Sequence, residues 1–135
     1  RTHIKDNIIR PLQSKKNTEN IPWEDAELVE LITNLTGCAC SLECESSKKT
    51  AKIIAYYSEQ EGVTKYYSYA RGHWDKWESA LRNALYGAYE CPAYNNSPEN
   101  FRIFLGLSSA KTPSSNDQMM LKRILRRCNA DFKFF

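Results

Sequence analysis

An α+β fold is predicted for this chain: an antiparallel meander sheet of three to four strands, with helices packed on one face. Two observations carry that expectation. The apolar period switches from about 3.6 residues to 2 after Gly37, and back to 3.6 after Gly72. The period-2 segments are joined by only a few polar residues, which suit hairpins and are too short for crossovers. With 135 residues, 41 % apolar and 26 % charged, the chain suits one domain that can build a core without staples.

The elements follow in order. Residues 1–20 show no sustained period and are read as a basic N-terminal arm or linker, ahead of a single domain over 21–135. The first residue is Arg1 and no Met precedes Met119, so the chain is read as a piece of a longer polypeptide. A helix is expected in "PWEDAELVELITNLTG". Pro22 suits its first turn, Glu24, Asp25 and Glu27 suit its positive end, and Gly37 is the left-handed stop. Leu28, Leu31, Ile32 and Leu35 make its apolar face. In "CACSLECES", Cys38, Cys40, Leu42 and Cys44 alternate with polar residues and predict a half-buried strand. "AKIIAYYSE" and "VTKYYSYA" continue the meander. A second helix over 75–89 buries Trp74, Trp77, Leu81, Ala84, Leu85 and Ala88, with Asp75 as cap and Glu78 completing a capping box. Cys91-Pro92 ends it, and "AYNNSPEN" reads as a loop. A C-terminal extension over 98–135 adds the strand "FRIFLGLSS" and a helix capped by Ser115. Leu121, Ile124, Leu125 and Cys128 are expected to face inward there.

Charge is uneven. Residues 1–20 carry five basic and two acidic side chains, residues 21–47 carry six acidic and no basic ones, and residues 91–135 carry seven basic and three acidic. Such asymmetry favours oriented binding to a charged partner. No apolar run is long enough for a membrane helix, and residues 1–20 do not resemble a signal peptide. Five cysteines without a regular framework point to a reducing, intracellular compartment. Cys38, Cys40 and Cys44, with Cys91 or His73 as a fourth ligand, would make a zinc set. The strand register instead predicts three small buried side chains and no metal or cofactor.

The candidate binding residues are basic and aromatic. Lys122, Arg123, Arg126 and Arg127, joined by Lys133, form the densest positive set, suited to phosphates or an acidic partner. Tyr56 and Tyr66, with Lys52 and Lys65 on neighbouring strands, are expected on the sheet face opposite the helices, where rings can stack unpaired bases or anchor a protein. His73 is the one candidate general base, but the chain has no phosphate loop, no G-x-S-x-G and no H-E-x-x-H.

The order helix, three strands, helix over residues 22–89 resembles the double-stranded-RNA-binding domain. Ala80, Ala84 and Ala88 repeat the alanine spacing of that family's second helix. The resemblance implies a helix packed closely on the sheet. Where that family opens its second helix with a lysine pair, this chain has Trp77 and Glu78, and its first helix is acidic. The expected function is a small non-catalytic domain that binds RNA through the C-terminal basic helix and the tyrosine-rich sheet. The alternatives are a protein-interaction module of a larger polypeptide and a metal-independent ribonuclease using His73.

Overall fold

The computed structural model describes residues 25–135. The expected arm over 1–20, and the helix start at Pro22 and Glu24, lie outside the described residues. The first described helix, α1, spans Asp25–Thr36 and stops at Gly37, whose φ of 73° is the left-handed conformation that glycine adopts without strain. Three antiparallel strands follow: β1 (Cys40–Glu45), β2 (Lys52–Ser58) and β3 (Val63–His73). A short 3₁₀ turn at Trp74–Lys76 leads into α2 (Trp77–Glu90). The stretch expected as a loop holds a one-turn helix, α3 (Pro92–Asn96), and a second 3₁₀ turn at Pro98–Asn100. Then come β4 (Phe101–Ser108), α4 (Ser115–Arg126) and β5 (Ala130–Phe134).

The α+β class stands, but the sheet is larger than expected and mixed. Its order is β1-β2-β3-β4-β5. β4 pairs parallel to β3, and β5 pairs parallel to β4. The fifth strand is the tail "ADFKF", whose alternation of buried and less buried residues spans too few positions to stand out in the sequence. Parallel neighbours require crossovers, and α2 and α4 supply them. Both helices therefore run against the strands and in the same direction as each other.

Helices cover both faces, not one. Ala80 and Ala84 of α2 and Leu121 and Leu125 of α4 share a core with Ala70, Ile103, Leu105, Leu107 and Phe132. Leu28 and Ile32 of α1 pack on the other face, against Ile54, Tyr69 and Phe104. The reason lies in β2 and β4, where buried residues run nearly without alternation. A strand apolar on both sides needs cover on both sides. Each fully buried Leu or Ile in these layers contributes about 1.5–3 kcal/mol.

Small residues set the approach of α2. Ala80, Ala84, Gly87 and Ala88 are its buried positions. A Cβ on Gly87 would lie 2.6 Å from the Ala51 Cβ, so only glycine fits there. The buried Ser68 hydroxyl donates to the Ala84 carbonyl at 2.6 Å, which satisfies a polar group between helix and sheet. At the far end, the Glu90 carboxylate accepts from the Ser47 N–H and hydroxyl at 3.0 and 2.9 Å. Those bonds hold the Glu90 pKa below the usual carboxylate value.

Three expectations about helix ends and faces are corrected. His73 caps the 3₁₀ turn ahead of α2, its Nδ1 accepting the Asp75 N–H at 3.1 Å; Asp75 does not cap, and α2 itself starts at Lys76 with no side-chain cap. The cap of α4 is Ser114, one residue before Ser115, and it accepts the Asp117 N–H. Leu85 and Ile124 are exposed, because α2 and α4 each meet the sheet on a narrower arc than their apolar residues span, and Cys128 is exposed because α4 ends at Arg126 and leaves it in the turn that follows.

Candidate functional site

The residues expected to bind do not form one surface. In the β2–β3 register Tyr56 stands opposite Lys65, and Tyr66 stands opposite Ala55, so the two tyrosines lie on opposite faces. Tyr56 is on the α1 side, stacked on Tyr67 at 5.9 Å. Burial, then the neighbouring Tyr67, raises its pKa. Tyr66 is on the α2 side, stacked on Phe101 at 4.5 Å, with its pKa raised mainly by burial. The shared-face expectation failed because the two residues sit one step out of phase across the hairpin.

The lysines are engaged as well. Lys52 is buried under α1, pairing with Asp25 and with Glu45 at 3.5 Å, so it ties the helix to the sheet. Lys65 pairs with Glu61 at 2.7 Å. Lys122 reaches from α4 to the Asp131 carboxylate at 2.8 Å and lies over the Phe132 ring. Lys133 lies over the ring of Phe135. Arg123, Arg126 and Arg127 are exposed.

The cysteines divide. All five are free thiols. Cys40 faces α1, its Sγ 3.2 Å from the Thr33 hydroxyl. The β1–β2 register shifts between Leu42 and Cys44, and this bulge carries Cys44 into the cluster of Cys91 and Ile53 on the other face. Cys38, Cys40 and Cys44 are half-buried, not buried as the strict alternation implied. Burial, then the adjacent Cys91, pushes the Cys44 thiol up to about 12. Among the described residues no three His, Cys, Asp or Glu side chains are grouped to hold a metal ion. No described helix is long and apolar enough to cross a membrane.

Among the described residues, concave sites flank the sheet. A cavity of about 630 Å³ lies between the end of α1 and the β2–β3 hairpin, lined by Leu35, Cys38, Tyr56, Lys65 and Tyr67 among others. Another of about 320 Å³ lies at the end of β3, where His73 and Arg71 meet Lys76 of the 3₁₀ turn and Ser79 and Asn83 of α2. His73 thus caps the 3₁₀ turn beside a polar cavity. Asp75 Oδ2 stands 3.8 Å from His73 Nδ1, beyond the hydrogen-bond reach by which a carboxylate orients a catalytic base.

The densest unexplained feature is the outer side of α2 and α4. Six of the ten exposed large apolar side chains among the described residues lie there: Leu85, Tyr86, Tyr89, Met119, Met120 and Ile124, each 42–69 % exposed. Single exposed apolar residues are ordinary, but six on the outer sides of two helices that share a core are more than that. Arg82, Arg123, Arg126 and Arg127 are exposed around it. Tyr, Met and Arg are the side chains enriched in protein interfaces. A clue stood in the sequence: the apolar residues of 77–90 cover more of the helix circumference than one sheet face can bury.

Comparison with protein-family models, with curated proteins and with solved structures finds no match.

Proposed function

We propose that this domain is a protein-interaction module whose docking surface is the outer side of α2 and α4. The observation that carries the reading is the set of six exposed apolar side chains on two helices that share a core, with exposed arginines on the same helices. The sheet and α1 act as the scaffold, and the small-residue seam of α2 holds the surface rigid.

Binding of RNA is the second reading, and the exposed Arg123, Arg126 and Arg127 favour it. It loses the stacking platform it needs, since Tyr56 and Tyr66 face opposite ways and each already stacks on a neighbouring ring.

Purification from a native source separates the two. A specific protein should accompany the domain after ribonuclease treatment, and should be lost from the Leu85→Glu/Ile124→Glu double variant at unchanged melting temperature. Titration with single- and double-stranded RNA at two salt concentrations is the counter-test. Tight, steeply salt-dependent RNA binding that the double variant retains would replace the proposal with the RNA reading.

A further inference from the structure

The two helices present matching ridges. On α2, Leu81, Leu85 and Tyr89 follow one another at intervals of four residues; on α4, Met120 and Ile124 do the same. Their orientation follows from what the opposite flanks touch. The other flank of α2 carries Gly87, which abuts Ala51 and Ser46 on the β2 side, and Ser79 and Asn83, which line the cavity at the end of β3. The other flank of α4 carries Lys122, which reaches outward to β5. The Leu81–Tyr89 ridge therefore looks toward α4, and the Met120–Ile124 ridge looks toward α2. Half-buried Leu81 packs on the shared core, so the floor between the ridges is apolar. From residue 81 to 89 the trough runs about 12 Å, the rise of two turns.

The rims carry charge of one sign over most of that length. Arg82 lies on the solvent side of α2, Arg123 lies on the solvent side of α4, and Arg127 is exposed at that helix's C-terminal end. None of the three is in a salt bridge among the described residues. Glu78 stands one turn before Arg82 on α2, at the head of the trough, while Asp117 lies in the first turn of α4, away from Arg123 and Arg127.

We infer that the trough between α2 and α4 takes an acidic amphipathic helix of the partner protein, with apolar anchors between the Leu81–Leu85–Tyr89 and Met120–Ile124 ridges and carboxylates against Arg82, Arg123 and Arg127. The inference rests on the docking reading above and names the chemistry of what docks. Two parallel helices offer a groove into which the ridge of a third fits, and apolar anchors at i, i+3/i+4 and i+7 match its length. Carboxylates on both sides of that apolar stripe meet guanidinium groups that can bind them in bidentate fashion.

The test is a fluorescence-anisotropy titration of the whole chain with a labelled synthetic helix of about 16 residues, about four turns. It carries leucines at i, i+3, i+7 and i+10 and glutamate at most other positions. A second peptide has lysine for every glutamate. The acidic peptide should bind at least about tenfold more tightly than the basic one. Arg123→Glu with Arg127→Glu should weaken it by about tenfold or more, and Leu85→Glu with Ile124→Glu should abolish binding, with circular dichroism confirming that each variant is folded. Equal binding of the two peptides, or no binding of the acidic one, overturns the inference. Loss of the native partner from the double variant would leave the docking surface standing in that event. Sedimentation equilibrium is run alongside: self-association that Leu85→Glu removes would assign the trough to a second copy and also overturn the inference.

Discussion

His73 shows how one side chain's role turns on its partner. The spacing assigned the capping to Asp75 and Glu78 and left His73 as a candidate general base. The bond runs the other way, from the Asp75 N–H to the ring. His73→Ala should therefore cost about 0.5–2 kcal/mol in urea denaturation, the range of a lost cap, and Asp75→Ala should stay within about 0.5 kcal/mol. At Cys44 and Tyr69 the environment is the whole story. Burial is the first cause at both, lifting the Cys44 thiol from 9.0 to about 12 and the Tyr69 hydroxyl from 10.0 to about 12. Unfolding releases those groups to ionise at their ordinary values. The native state then holds more protons than the unfolded state at alkaline pH, so stability is fully present below pH 9 and declines as pH rises from 9 toward 12. Denaturant midpoints at pH 8 and pH 10.5 check this, the second being lower. At pH 8, maleimide should label the exposed Cys128 well before Cys44.

At the scale of an element, α2 was legible in existence and length but only half legible in orientation. Its alanines at positions 80, 84 and 88 are buried as their spacing implied. Leu85 shares the apolar run yet faces solvent, and Gly87, which carries no hydrophobic signal, is buried. Periodicity finds a stripe; it does not tell a stripe that is covered from one that waits for a partner. Gly87→Ala should destabilise by about 1–3 kcal/mol because Ala51 cannot move away without its strand. Leu85→Ala should change stability by no more than about 0.5 kcal/mol. Thermal unfolding of the two variants side by side reads the difference. β1 taught a related lesson. Strict alternation put three cysteines on one face, and the bulge between Leu42 and Cys44 reversed the last of them.

For the molecule as a whole, the three-strand meander and the helices at either end of it were legible, because local connections and period are written in neighbouring residues. The parallel half of the sheet was not. Pairing of β4 with β3 and of β5 with β4 is a long-range fact. A five-residue tail carries too little pattern to announce a strand. The candidate binding residues were legible as types but not as a surface, since Lys52, Lys65 and Lys122 had partners that only the fold brings near. The tail matters to the core. Phe132 is buried beneath α4 and meets the Trp74 ring edge-on at 5.6 Å, joining the start of the α2 crossover to the last strand. Phe132→Ala should cost about 3–5 kcal/mol, measured by guanidinium unfolding followed through tryptophan fluorescence.

The change of strand direction at β3 also sets an order of assembly in time. On one side of β3, two hairpins close over short loops; on the other, each ladder waits until a helix-long stretch of chain has doubled back. Loop closure must be met before the contacts reward it, so the hairpin side can form early while the crossover side forms late. Ile54→Val, in the meander, should then act mainly on the refolding limb of a stopped-flow chevron. Leu105→Ala, at the crossover side, should act mainly on the unfolding limb, so that a strand with neighbours on both sides is among the last to arrive.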